Sequence, residues 1–206
     1  MCKTIETSLA TFLISTICAA ILACGPSSSP KLKWAALFIF TFTLMQVADA
    51  LLWWAIKSTK LTLNRVVSNY VLPAILAAEV LVSFYGAVYF MGYRNKAYEA
   101  ILWIYVATLL WTWNQDFCRQ RNTSVGKSGY LRWCDNEMKD GISKIVFVTF
   151  LLLPFVMAYP SGYDKATILT VAVGSFIMNF NREEFGSRWC WSGNVLALSL
   201  LPFAIA

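Results

Sequence analysis

Hydrophobic residues fall into seven long runs along this chain, and each run ends where glycine, proline or charged residues cluster. Because the hydrocarbon core of a bilayer is about 30 Å thick, a helix needs about 20 predominantly apolar residues to cross it. The pattern predicts an all-α fold: an integral membrane helical bundle of about seven transmembrane helices in one polytopic domain, 1–206. The predicted helices are 5–24, 34–56, 66–91, 97–114, 142–160, 164–181 and 187–206.

Some of these runs also fit other arrangements. The runs at 97–114 and 164–181 are short, and the last two runs are separated by only a few residues, so a six-helix or re-entrant arrangement remains open. The first run lies close to Lys3 and precedes a GPSSS segment, so it fits either a retained helix or a removed signal peptide. Its length of about 20 residues favours a retained helix.

The composition favours lipid as the solvent and membrane components as partners. Hydrophobic residues make up 58% of the chain and charged residues only 14%, so a soluble domain of this kind would expose large apolar patches. The expected partners are the lipid bilayer and either other membrane subunits or further copies of the chain. The formal charge of +6 comes from cations in short connectors, which form no basic face, so no nucleic acid partner is expected.

The absence of histidine excludes several classes of enzyme and metal protein. Imidazole is the commonest metal ligand and the usual general base near neutral pH, and this chain contains none. The six cysteines show no CxxC spacing, which argues against a zinc or iron–sulfur site. The sequence therefore predicts no metal, no cofactor and no catalytic residues, and it favours a protein that is not an enzyme.

Two signals disagree about the orientation of the predicted bundle. Twelve of the 17 Lys and Arg residues lie at the N-terminus or in the second, fourth and sixth connectors, which predicts a cytoplasmic N-terminus. The polar loop at 115–141 opposes this, because it carries Cys118 and Cys134, a possible disulfide, and the sequon Asn122-Thr123-Ser124. Both features would require that loop to lie outside the cell, but a sequon arises easily by chance, so the prediction is an integral multi-pass membrane protein with a cytoplasmic N-terminus.

Polar residues inside the apolar runs are the candidates for function. Gln46, Asp49 and Trp53 share one face of the second predicted helix, and that face should point inward. Glu79 lies near the middle of the third run, where an ionised side chain costs at least about 2.5–3.5 kcal/mol. Such a carboxylate must be protonated, bound to a cation, hydrated in a cavity or held by neighbouring amides.

These polar residues support two interpretations. In the first, Asp49 and Glu79 bind protons or cations in a small-solute or ion transporter or channel. In the second, they are hydrogen-bonding contacts between helices in a structural or assembly subunit without transport activity. A membrane-embedded enzyme or sensor that works through the carboxylates is a third possibility. The predicted polar core, which is also the possible ion or proton site, comprises Gln46, Asp49, Asn69, Glu79, Asn114, Asn179 and Asn194.

Residues near the run ends add two further predictions. Eight tryptophans lie where helices should meet the membrane interface, as expected of an aromatic belt: Trp34, Trp53, Trp54, Trp103, Trp111, Trp113, Trp189 and Trp191. The segment NFNREEFGSRWCWSGN places two glutamates and two arginines between the last two runs. That segment fits an ordered cap or a solvated turn whose ion pairs contribute about 0–1 kcal/mol.

Several of these motifs together suggest a family. The chain has MQVADALLWW, then Asn69 and Pro73 in the next helix, a polar loop that runs into GYLRW, and a closing GSRWCW followed by Asn194. This pattern resembles a family of small, uncharacterised multi-pass membrane proteins of large DNA viruses of algae and protists. The resemblance implies a polytopic fold with a shared polar core, and it implies no activity, substrate or cofactor.

Overall fold

The computed structural model describes residues 3–114, 122–133 and 141–205, and helices dominate these ranges, which confirms the predicted all-α class. Two short strands, β1 and β2, pair in antiparallel fashion with Ser124 opposite Arg132. The helices and strands are α1 Ile5–Cys24, α2 Pro30–Lys57, α3 Leu61–Val66, a π-helical segment Val67–Val71, α4 Leu72–Tyr89, α5 Lys96–Asn114, β1 Ser124–Val125, β2 Leu131–Arg132, α6 Gly141–Ala158, α7 Tyr163–Asn179, α8 Phe185–Leu200 and α9 Pro202–Ile205.

Four helical segments of the described chain are long and apolar enough to cross a membrane. They are Ile5–Cys24, Pro30–Lys57, Leu61–Tyr89 and Gly141–Ala158. The second begins at Pro30 and the third at Leu61, so both start earlier than the predicted runs at 34–56 and 66–91. The other long helices, α5, α7 and α8, have 19, 17 and 16 residues.

Local sequence signals explain where the first helices begin and bend. Thr4 caps α1, because its hydroxyl accepts a hydrogen bond from the Thr7 amide at 3.2 Å. Pro30 starts α2, at a position where its missing N–H costs nothing. Pro73 cannot donate a backbone hydrogen bond into the preceding turn, and the helix is widened into the π-helical segment just before it.

Helix α2 is the centre of the bundle and packs against α1, α4 and α8. Its N-terminal half carries Trp34, which is fully buried and stacks on Phe155 of α6 with ring centroids 4.5 Å apart. Gly86 of α4 faces the same indole so closely that a Cβ there would overlap the ring. Trp34 is therefore a core residue and does not belong to an interfacial belt. Trp53 and Trp189 are also buried, whereas Trp54, Trp103 and Trp191 are exposed.

The outer surface of the described bundle is strongly apolar. Helix α5 contacts its neighbours through Tyr98, whose hydroxyl donates to the Phe84 carbonyl at 3.0 Å, and through Tyr105, whose ring lies 5.2 Å from Phe150. The outward faces of four helices carry large hydrophobic side chains, including Leu13, Ile14 and Ile17 of α1, Trp103, Ile104 and Leu110 of α5, Ile142 and Ile145 of α6, and Ile177 and Met178 of α7.

Residues 122–133 fold onto one end of the bundle as a hairpin. The predicted polar loop at 115–141 is therefore structured over this part, whereas its cysteines Cys118 and Cys134 lie outside the described residues. Leu131 is fully buried, and the turn uses Gly129 with a φ of +79°. The ammonium of Lys3 lies 4.8 Å from the centre of the Tyr130 ring, so the N-terminus and the hairpin share one end of the bundle.

Candidate functional site

Asp49 is completely buried and accepts a hydrogen bond on each carboxylate oxygen. The Trp133 indole N–H donates to Oδ1 at 2.8 Å, and the Ser187 hydroxyl donates to Oδ2 at 2.9 Å. Helix α2 supplies the acid, the hairpin supplies the indole and the first turn of α8 supplies the hydroxyl. Burial of Gln46, Asp49 and Trp53 confirms that this face of α2 points inward.

Trp133 reaches Asp49 because α8 presents a glycine beneath it. A Cβ placed on Gly186 would overlap the Trp133 ring, so only glycine permits this close approach. The indole therefore lies against the backbone of α8 while its N–H points at Asp49. Trp133 and Ser187 were not predicted as partners of Asp49. Nothing in their local sequence indicates that the polar loop folds back over α8.

Gln46 lies one turn from Asp49 on α2 and joins the same helix pair. Its Nε2 donates to the carbonyl of Cys190 in α8 at 3.3 Å. Its Oε1 is buried and accepts no hydrogen bond from the residues that the structure describes. Cys190 in turn donates its thiol to the Gly186 carbonyl at 3.1 Å. The amide thus ties α2 to α8 and leaves one buried acceptor.

Glu79 of α4 differs from Asp49, because neither of its oxygens has a hydrogen-bond partner among the described residues. Its side chain is 1% exposed and lines a cavity with room for roughly one water molecule. Tyr105 of α5 lies near enough to interact electrostatically with this carboxyl group. The other residues that line the cavity are Met45, Leu76, Trp133, Phe147, Phe185, Gly186, Trp189 and Cys190.

Trp133 connects the two acids, since its N–H binds Asp49 while its ring lines the Glu79 cavity. The buried ammonium group of Lys144 lies close to Phe185, one of the residues that line the same cavity. Lys144 of α6 donates to the Phe180 carbonyl at 2.7 Å, and its ammonium lies 5.0 Å from the centre of the Phe185 ring. The site therefore combines Asp49, which accepts two hydrogen bonds, Glu79, which accepts none from the described residues, and the Trp133 indole between them.

The other predicted polar residues lie elsewhere. Asn69 donates to the Arg65 carbonyl at 2.6 Å and Asn179 to the Ser175 carbonyl at 2.9 Å, both within their own helices. Asn194 accepts a hydrogen bond from Ser15 at 2.7 Å, which links α8 to α1. The side chain of Asn114 lies outside the described residues. The structure thus brings Gln46, Asp49 and Glu79 to one region, and the hydrogen bonds of Asn179 and Asn194 lie outside that region.

No family model, curated protein or solved structure matches this chain. The family resemblance seen in its motifs therefore stays a prediction. The chemistry of the site has to be inferred from the residues themselves.

A second polar cluster binds the hairpin to α3, and no local sequence pattern predicts it. The Asn64 side chain pairs with the backbone of Thr123 in both directions, donating to its carbonyl at 2.9 Å and accepting from its amide at 2.8 Å. The hydroxyls of Ser68 and Thr123 lie 2.7 Å apart beside this pair. All three residues are buried, so this cluster fixes the start of the hairpin that carries Trp133.

Glu184 holds the other side of the hairpin, and replacing it with glutamine is expected to loosen that contact. Its Oε1 accepts a hydrogen bond from the Ser128 amide at 3.3 Å, and its Oε2 lies 3.7 Å from Nε of Arg188. Burial alone would raise the pKa of Glu184, but the Ser128 hydrogen bond and the Arg188 charge outweigh it and lower the pKa. We expect Glu184→Gln to destabilise the hairpin by about 1 kcal/mol.

Hydrogen exchange of the amides in 122–133 measures this effect directly. Because folding lowers the pKa of Glu184, its stabilisation is present above the ordinary carboxyl pKa of about 4.3 and is lost as the pH falls below it. The parent should therefore exchange faster in this segment at acidic pH, after correction for intrinsic rates, and Glu184→Gln should show less of that change. Glu99→Gln, at an exposed side chain of α5 with no described contact to the hairpin, is the control. Equal protection in Glu184→Gln and the parent would contradict the proposed anchor.

Proposed function

We propose that this chain is a multi-pass membrane protein that transports or conducts a proton or small cation through an exchange site at Glu79. The observation that carries the proposal is the carboxyl group of Glu79, which is fully buried beside a water-sized cavity and has no hydrogen-bond partner among the described residues. A polar side chain at such a position serves no evident packing purpose.

The distribution of polar and apolar side chains supports placement in a bilayer. The described bundle has polar groups inside, such as Gln46, Asp49 and Glu79, and large hydrophobic side chains outside. Four segments have the length and composition of membrane spans. We propose that α5 and α7 cross as well, since 17 residues is the lower end of the usual range for a spanning helix. We propose that α8, with 16 residues, crosses together with α9, which follows it directly to Ile205. The hairpin end, which holds most of the cations, would then face the cytoplasm.

The contrast between the two acids favours exchange at Glu79. If both acids only held helices together, each should donate or accept hydrogen bonds between helices. Asp49 does this with both oxygens, whereas Glu79 makes no such bond to a described residue. An ionised carboxylate without partners is costly to bury, so Glu79 needs a bound proton or cation while the cavity is closed.

Trp133 is the barrier that an exchanging proton or cation would have to pass on the hairpin side. Its ring lines the Glu79 cavity, and its hydrogen bond to Asp49 holds it there. Displacement of the indole would expose Glu79 to water from that end of the bundle. In this proposal Glu79 binds the transported species, and Asp49 positions the barrier.

Ion flux in liposomes tests the proposal. Purified protein is reconstituted in vesicles that contain either a pH-sensitive dye or a sodium-sensitive dye, and a potassium gradient with valinomycin drives proton or sodium movement. We expect vesicles with the parent protein to carry proton or sodium flux at least about tenfold faster than empty vesicles, a difference equal to about 1.4 kcal/mol in the barrier. Glu79→Gln should abolish this flux, because the amide keeps the shape but binds neither species.

Glu99→Gln is the matched control, because Glu99 is exposed at the start of α5, and its flux should equal that of the parent. Circular dichroism and thermal unfolding establish that each variant is folded. A folded Glu79→Gln protein with parental flux, or a parent no faster than empty vesicles, would refute the transport proposal.

The second candidate function is a structural or assembly subunit of a larger membrane complex. The two hydrogen bonds of Asp49 favour this function, because they join α2 to α8 and to the hairpin. Such bonds are typical of polar residues that hold membrane helices together. In that case Glu79→Gln should leave assembly and flux unchanged, whereas Asp49→Ala should weaken the bundle by removing the bonds between these elements.

A further inference from the structure

A groove between α7 and α8 opens on the outside of the bundle, away from the Glu79 cavity. It has a volume of about 400 Å³, which lies within the range of ligand pockets. Gly174 lies in its lining, and a Cβ added there would meet no atom within 4 Å, so this part of the groove is open space. None of the described contacts of Asp49 or Glu79 involves this groove.

One end of the groove holds an arginine with few partners. The Arg188 guanidinium lies 4.5 Å from the centre of the Tyr130 ring, and its closest anion is Glu184 at 3.7 Å. Its Nε faces Glu184, but its side chain is 23% exposed, and none of the hydrogen bonds among the described residues uses its other four N–H donors. This end can therefore accept an anion with several oxygen acceptors, such as phosphate, whose geometry matches the paired N–H donors of guanidinium.

Towards its other end the groove runs along the helices and is mostly apolar, although Thr170, Ser175 and Ser192 also line it. Val195 lies seven positions after Arg188, which corresponds to about 10 Å along α8. Val171 and Val195 form the far end, and Gly174 lies between them and the cationic end. Arg188 near the helix terminus matches the headgroup of a lipid, and the mostly apolar part of the groove along the helix axis matches its acyl chain.

We infer that the α7–α8 groove binds one anionic glycerophospholipid, with its phosphate at Arg188 and one acyl chain over Gly174. A soluble phosphate would use only the cationic end and would leave the apolar length of the groove empty. The lipid fits both ends, and the groove lies on the exposed side of two helices. The inference rests on the proposed placement in a bilayer, but it is independent of ion exchange at Glu79.

Native mass spectrometry of the purified full chain in detergent tests the inference. With added phosphatidylglycerol we expect one retained lipid per chain, and about tenfold weaker retention of phosphatidylcholine. Gly174→Phe should abolish retention, because the ring fills open space in the groove. Arg188→Gln should remove the preference for the anionic lipid, and Arg188→Lys should restore part of it.

Val173→Phe is the control, because Val173 is exposed on the same helix and does not line the groove, and it should retain lipid like the parent. Parental retention by Gly174→Phe would overturn the inference. So would displacement of the lipid by glycerol phosphate, which indicates a site for soluble phosphate, or a change of oligomeric state in Gly174→Phe, which indicates a contact between copies. A lipid result of either kind leaves the flux comparison at Glu79 unaffected, so the two proposals can fail separately.

Discussion

Replacing Gly86 with leucine is expected to destabilise this protein by about 3 kcal/mol or more. A Cβ at this position overlaps the indole of Trp34, which is itself fully buried and stacked on Phe155. The ring therefore has no free space into which it can move, and α4 has to separate from α2. Overpacking of a filled core costs about 1–3 kcal/mol and sometimes more, and leucine here should lie at the upper end.

Thermal unfolding in detergent, followed by helical circular dichroism, measures this prediction. Gly86→Ala should also lower the melting temperature, but by less, because it adds only the Cβ. Gly174→Ala is the matched control, since its Cβ meets nothing within 4 Å. Alanine in an open helical position should be neutral or stabilising by up to about 1 kcal/mol. A Gly86→Leu protein that melts with the parent would mean that α4 and α2 are not in this close contact.

Replacing Asp49 with alanine is expected to release the hairpin from the bundle. The change removes both acceptors at once and leaves the Trp133 N–H and the Ser187 hydroxyl without them. An unsatisfied buried donor costs about 1–3 kcal/mol, so the two together should destabilise the protein by roughly 2–6 kcal/mol. The loss should be greatest in 122–133, because Trp133 holds that segment to α8.

Asparagine at position 49 separates loss of hydrogen bonding from loss of charge. Its Oδ1 can accept from Trp133 while its Nδ2 donates to Ser187, whose hydroxyl can reverse its role. Asp49→Asn should therefore stay within about 1 kcal/mol of the parent, whereas Asp49→Ala should not. Hydrogen exchange of 122–133 and thermal unfolding distinguish the two variants. Equal destabilisation by both would show that the negative charge, and not the acceptor geometry, holds the hairpin.

Much of the bundle could be predicted from the order of apolar and polar residues. The runs at 5–24 and 142–160 match α1 and α6 closely, because a helix this apolar must satisfy its backbone internally and ends where charge and glycine begin. The inward face of α2 followed from the spacing of Gln46 and Asp49. Glu79 was identified as a candidate because a carboxylate in an apolar run is rare.

Interactions between distant segments could not be predicted in the same way. The polar composition of 115–141 indicates a loop but does not reveal that Asn64 and Glu184 hold part of it against the bundle. Trp34 looks like an interfacial tryptophan by its position near a run end, yet Gly86, more than 50 residues away in sequence, makes room for it in the core.

Local sequence patterns were enough to predict the helical class, the apolar exterior and the presence of two acids inside apolar runs. Each of these features depends on the period and length of local hydrophobic patterns. Those patterns are present in the sequence whatever the packing of the helices. Only the tertiary structure decided that Asp49 is paired and Glu79 is not, because their surroundings come from α8 and the hairpin. Hydrogen-bond satisfaction is a property of the neighbours that folding brings together, and no local pattern in either helix records it.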